Sequence, residues 1–206
     1  TGIIDFQANG VEITKSGGAP NVLNNYGTIK TSFPNSTDEG FIGSQLINID
    51  GVIQVESGSL NFNNTTVNLM SGTYHVFTDA TLNLNSPMTA SGTLIGNIVG
   101  EINWNDDLIV GSTAFLDFSG TETITWNSGD LEGGGILTNL SIIEKFSGAT
   151  FIRDGSTLEN EGYINLKGDG DIFMSANGVI NNTINGTIDF QANGSGILFS
   201  GGGTMT

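Results

Sequence analysis

Along most of the chain, apolar and polar residues alternate in runs of three to five, bounded by Gly, Asn, Asp or Ser. Strict alternation marks a strand, because successive side chains point to opposite faces. The unit Gly-x-apolar-x-apolar recurs as Gly2-x-Ile4-x-Phe6, Gly51-x-Ile53-x-Val55, Gly58-x-Leu60-x-Phe62, Gly100-x-Ile102-x-Trp104, Gly162-x-Ile164-x-Leu166 and Gly186-x-Ile188-x-Phe190. The inward set is Ile, Leu, Val, Phe and Trp; the intervening set is Thr, Asn, Asp, Ser and Glu. No segment of ten or more residues carries an apolar 3.6 period, and helix formers are sparse. The pattern predicts an all-β fold.

A longer period overlies the short one. Asp5-Phe6-Gln7-Ala8-Asn9-Gly10 returns as residues 189–194, and Ile13 and Ser16-Gly17-Gly18 return as Ile197 and Ser200-Gly201-Gly202: 10 identities in 14 positions at an offset of 184. Dividing 184 by eight gives 23 residues, so eight turns per long repeat is the simplest expectation. Sandwich strands have individual sequences, whereas a solenoid sets like elements above one another. The expectation is therefore a right-handed parallel β-helix of about eight to nine coils of about 23 residues, rising about 4.8 Å per turn over about 40–45 Å. Residues 1–206 are taken as one β-solenoid segment of a longer repetitive protein, with the long repeat at about 2–185 and the next copy from about 186.

Stacking of this kind predicts a core column containing Phe6, Phe62, Trp104, Trp126, Leu166 and Phe190. Trp104 and Trp126 are 22 residues apart and should touch one turn apart. Asn25, Asn160 and Asn182 each lie two residues after an inward apolar residue. They should join asparagine ladders, each amide bonding the next.

Composition narrows the function. The chain has 206 residues with 31 Gly and 24 Asn, and 21 acidic residues face 5 basic ones for a net charge of −16. Such a surface repels phosphate backbones and anionic headgroups, which argues against nucleic-acid binding and membrane association. There is no Cys, which excludes disulfides and thiolate ligands. No apolar run approaches the roughly 18 residues of a membrane span.

One stretch carries a family likeness. From Ile124 to Gly194 the sequence includes Thr125-Trp126-Asn127-Ser128-Gly129-Asp130, Thr157-Leu158-Glu159-Asn160-Glu161-Gly162-Tyr163-Ile164, Val179-Ile180-Asn181-Asn182 and Gly186-Thr187-Ile188-Asp189-Phe190. It resembles the β-solenoid repeats of very large secreted bacterial surface proteins, of the filamentous-haemagglutinin and type IX-secreted adhesin kinds. The element Leu-x-Asn-x-Gly-x-Ile is its most specific part. The resemblance implies an adhesin or surface filament and brings no catalytic residues.

Parallel β-helices also host polysaccharide lyases and hydrolases, which need paired carboxylates or a base beside a cation cluster. Asp106-Asp107 is the sole adjacent Asp pair and Arg153 the sole arginine, with Lys145 and Lys167 nearby in sequence. His75, the single histidine, alternates with Tyr74 and Val76 and should face solvent. The cofactor candidate is calcium, first at Asp169 and Asp171, in Gly168-Asp169-Gly170-Asp171, whose alternation is like that of calcium-binding turns, and second at Asp38-Glu39-Gly40 in the loop after Phe33-Pro34. The loop from Thr31 to Gly43 is the one irregular insertion, and an acid- and aromatic-lined cleft there would favour a polysaccharide-active protein.

The expected role is a structural shaft or filament segment of a secreted, extracellular adhesin, without catalysis. Its partners would be neighbouring solenoid repeats of the same chain and surface glycans or other surfaces. The alternative is a polysaccharide-binding or polysaccharide-degrading β-helix.

Overall fold

A computed structural model describes residues 2–14, 21–63, 67–120 and 123–206, without the side chain of Met70. Every regular element among the described residues is a β-strand, 25 in all, and every strand pair is parallel. The chain winds as a β-solenoid of about nine turns, each laying one strand segment on each of three faces. Face 1 is a separate sheet of nine strands, from Val11–Ile13 through Gly58–Asn63, Ala80–Asn85, Glu101–Trp104, Ile124–Trp126 and Ile142–Lys145 to Thr187–Phe190. The other sixteen strands form one folded sheet that supplies face 2, with Val22–Asn25, Gln45–Ile49, Leu131–Glu132, Ala149–Ile152, Asp171–Ser175 and Gly196–Ser200, and face 3, with Ile3–Phe6, Thr28–Thr31, Val52–Val55, Ile136–Asn139, Thr157–Asn160, Val179–Asn182 and Thr204–Met205. Three long strands, Val67–Val76, Met88–Ile98 and Leu108–Gly120, run through the corner between those faces. The corner is turned at Ser71 and Gly92 with φ of 56° and 69°, a left-handed conformation that short polar residues and glycine tolerate best.

Paired residues on successive turns are between 19 residues apart (Ile124 and Ile143) and 29 apart (Val11 and Gly40). Alternation then decides what is buried. On face 1 the inward positions stack as Leu60, Leu82, Ile102, Ile124, Ile143, Ile164 and Ile188. Beside them runs the column Phe62, Leu84, Trp104 and Trp126. Trp104 and Trp126 stack with ring centroids 4.2 Å apart and 2° between planes. Each such fully buried side chain contributes about 1.5–3 kcal/mol of hydrophobic stabilisation, and a turn exchanges contacts mainly with its neighbours.

Two members of the expected column are placed differently. Phe6 is buried, but on face 3, in the strand Ile3–Phe6. Phe190 is in register with Leu166, yet 53% exposed, because among the described residues no second strand pairs with Thr187–Phe190. Between Trp126 and Leu166 the column contains an unexpected residue. Ile124 pairs with Ile143 and Thr125 with Glu144; continuing that register sets Lys145, fully buried, over Trp126. Leu166 covers it from the next turn.

The long repeat is also out of phase with the winding. Asp5-Phe6 is on face 3, while its duplicate Asp189-Phe190 is on face 1. Val179–Asn182 stands eight turns above Ile3–Phe6, and Thr187–Phe190 is one face further on. The 184 residues thus span eight and a third turns rather than eight. Ser16-Gly17-Gly18 of the first copy lies outside the described residues.

Candidate functional site

The outer side of face 1 is built by a pattern visible in three consecutive strands: Asn61-Phe62-Asn63, Asn83-Leu84-Asn85 and Asn103-Trp104-Asn105. Alternation sends the apolar residue inward and both asparagines outward, and in-register stacking aligns them into two columns. In one, Asn83 Nδ2 donates to Asn61 Oδ1 at 2.8 Å and Asn103 Nδ2 to Asn83 Oδ1 at 3.0 Å. In the other, Asn85 donates to Asn63 at 3.0 Å, Asn105 to Asn85 at 2.7 Å and Asn127 to Asn105 at 2.9 Å. Each amide has two N–H groups and two lone pairs, so Asn83, Asn85, Asn103 and Asn105 keep further donors and acceptors, while Asn61 is buried and donates to the Gly40 carbonyl. These outer ladders were missed in the sequence, although the repeated Asn-x-Asn was there to find.

Beside the columns lies a trough. A hollow of about 310 Å³ is bounded by Glu101, Asn103, Thr123, Thr125, Glu144 and the ring of Phe146. A second hollow, of about 500 Å³, lies at the corner leading into face 1, lined by Ser36, Thr78, Asp79, Thr81 and Gly100, and it shares Glu101 with the first. Phe146 is 42% exposed, and Lys167 Nζ lies 5.2 Å from its ring centroid. The same Nζ bonds Glu144 Oε1 at 2.5 Å, which fixes that carboxylate. The expected loop is irregular only between Thr31 and Glu39, since Glu39–Ile42 is a face 1 strand; Phe41 on that strand is half-buried in register with Asn61 and lines neither hollow. Phe33 is buried, and Asp38 accepts from the backbone N–H and side-chain amide of Asn35 at 3.3 and 3.1 Å.

The inner asparagines form two separate ladders at corners of the coil. Asn25 donates to Asn48 Oδ1 at 2.7 Å, and Asn48 to the Tyr74 hydroxyl at 3.0 Å. Asn139 donates to Asn160 Oδ1 at 2.9 Å and Asn160 to Asn182 Oδ1 at 2.8 Å. These amides satisfy buried corners rather than facing a ligand.

Asp169 and Asp171, the calcium candidates, lie at the turn that leads into the strand Asp171–Ser175. Asp169 is exposed, Asp171 half-buried, and no group of three potential metal-ligating residues occurs among the described residues. Calcium takes six to eight oxygens, and the cation these carboxylates face is internal. Burial lowers the pKa of Lys145, and the charges of Asp169 and Asp171 partly oppose that shift. Its Nζ donates to the carbonyl oxygens of Asn127, at 3.1 Å, and of Ser147.

The other chemistry-bearing residues are engaged in linking turns. Asp107 Oδ1 accepts from the Asp130 N–H and Asp130 Oδ1 from the Phe151 N–H, both at 2.8 Å. Arg153 pairs with Asp130 at 3.2 Å and Glu132 at 2.8 Å. Burial works to lower its pKa, but Asp130, Glu132 and Asp107 raise it, so the guanidinium remains a cation and no base. Lys30 bridges Asp5 at 3.5 Å and Glu56 at 3.4 Å. His75 is half-buried on face 3, its Nδ1 accepting the Asn97 N–H at 3.4 Å. Apart from Lys15, outside the described residues, every basic side chain is thus paired across turns or buried.

Compared with models of protein families, with curated proteins and with solved structures, the chain matches none. The fold and its outer surface therefore define the class, a parallel β-solenoid with an acidic, amide-rich exterior.

Proposed function

We propose that this chain is a structural shaft segment of a secreted bacterial surface protein that takes part in adhesion. The observation that carries the proposal is the cross-turn bonding of its side chains. Amide ladders, aspartate-to-backbone bonds and ion pairs join each turn to the next along the axis. A solenoid bonded in this way grows in length without redesign of its core. Its partners are further turns of the same kind, and its net charge of −16 keeps parallel rods apart.

Immunogold labelling of the source cells with antibody raised against the 206-residue chain tests this role. Labelling of surface projections, with loss of surface attachment on deletion of the gene, is the expected result. Labelling confined to the cell interior overturns it.

A further inference from the structure

We propose that the trough on face 1 binds a neutral polysaccharide, laid along the solenoid axis from Thr81 past Glu101 to Phe146. This goes beyond the shaft role and does not depend on it. The chemistry of the lining selects the ligand. Thr81, Thr123 and Thr125 offer hydroxyls, Asn103 an amide, and Glu101 and Glu144 carboxylates, a set that matches the alternating donors and acceptors of a polyol. One exposed aromatic ring, Phe146, stands at the far end, where the apolar face of a pyranose can stack on it. The hollows of about 500 and 310 Å³ are each of ligand-cleft size. From Thr81 to Glu144 the trough crosses three strand steps, about 14 Å, which suits a chain of sugars rather than one.

Charge decides between polymers. Among the described residues the trough wall contains carboxylates and no cation, and the ammonium beside it, that of Lys167, is held by Glu144. Uronate, sulfate and phosphate polymers are repelled. A protein partner would require a broad apolar core of aromatic residues, and the trough has a single ring. Order favours binding as well. The Asn103 amide donates to Asn83 and accepts from Asn127 at 3.4 Å, and Lys167 holds both Glu144 and Phe146. Side chains fixed in advance lose little entropy on association.

The test is affinity electrophoresis of the whole 206-residue chain through native gels containing hydroxyethylcellulose, mixed-linkage β-glucan or glucomannan, with polygalacturonate and chitosan gels as charged controls. Retardation by at least one neutral polymer is expected. Phe146→Ala should weaken it about tenfold and Glu101→Gln severalfold, while Tyr26→Ala, which removes an exposed ring outside the trough, leaves it unchanged. Phe146→Tyr, which keeps the ring, should bind as the parent does and covers the case in which Phe146→Ala melts early by circular dichroism. The proposal is overturned if no neutral polymer retards the folded chain, if chitosan alone does so through charge, or if retardation survives both Phe146→Ala and Glu101→Gln.

Discussion

The indole of Trp126 lies parallel to that of Trp104, one turn away, at a centroid separation of 4.2 Å. Strand register imposes this arrangement, since the residues flanking both rings are themselves paired. Trp126→Ala should destabilise the chain by about 3–5 kcal/mol, measured as a fall in the urea midpoint. Either Trp→Phe change should also abolish the exciton couplet of the paired indoles in circular dichroism. A couplet that persists in Trp104→Phe would contradict the stacking.

Asn160 sits at the centre of a buried ladder: it accepts from Asn139 and donates to Asn182 and, at 3.1 Å, to the Thr187 carbonyl. Asn160→Ala leaves several buried groups without partners, which should lower stability by about 2–4 kcal/mol. Asn85→Ala on the exposed ladder should change it by about 0.5 kcal/mol or less, because water replaces the lost bonds. Equal effects in parallel denaturant titrations would refute the distinction between inner and outer ladders.

Lys145 gives stability a dependence on alkaline pH. Burial, the dominant influence, depresses its folded-state pKa below 10.5, against the opposing charges of Asp169 and Asp171. Between the depressed value and 10.5 the unfolded chain binds the proton and the folded chain does not, so stability rises with pH through that window. Below it both states are charged, and above it both are neutral. Lys145→Met should remove this rise, read as the difference in slope between the two proteins in the pH range immediately below 10.5.

Gly58 has a φ of 64°, and a Cβ there would press on the Asp38 carbonyl and lie 2.6 Å from the Phe33 ring. Gly58→Ala combines left-handed strain with a clash against backbone, and about 2–4 kcal/mol of lost stability is expected. Its thermal midpoint should fall accordingly, and an unchanged midpoint would show that the Thr31–Gly43 loop is free to move away.

What was legible in the sequence follows from period. Alternation gave the strands, and the 22-residue spacing of Trp104 and Trp126 foretold their contact. Asn25, Asn160 and Asn182 were recognisable because a corner two residues past an inward apolar residue needs a side-chain amide. Lys145 was not, since a lysine at an alternating position reads as solvent-facing; its burial depends on carbonyls of Asn127 and Ser147 that sequence does not place. The trough was hidden for a related reason: Thr81, Glu101 and Glu144 come from separate turns and meet only once the register is known. Phe6 carries the same Gly-x-apolar-x-apolar signature as Phe62 and Trp104, which marks it as core without saying which face it lines.

That leftover third of a turn gives the molecule a screw sense larger than its own coil. Were the 184-residue unit strung in series, each copy would aim its trough about 120° around the axis from the one before, and only the fourth would point as the first. A stalk assembled so would grip its surroundings from three bearings.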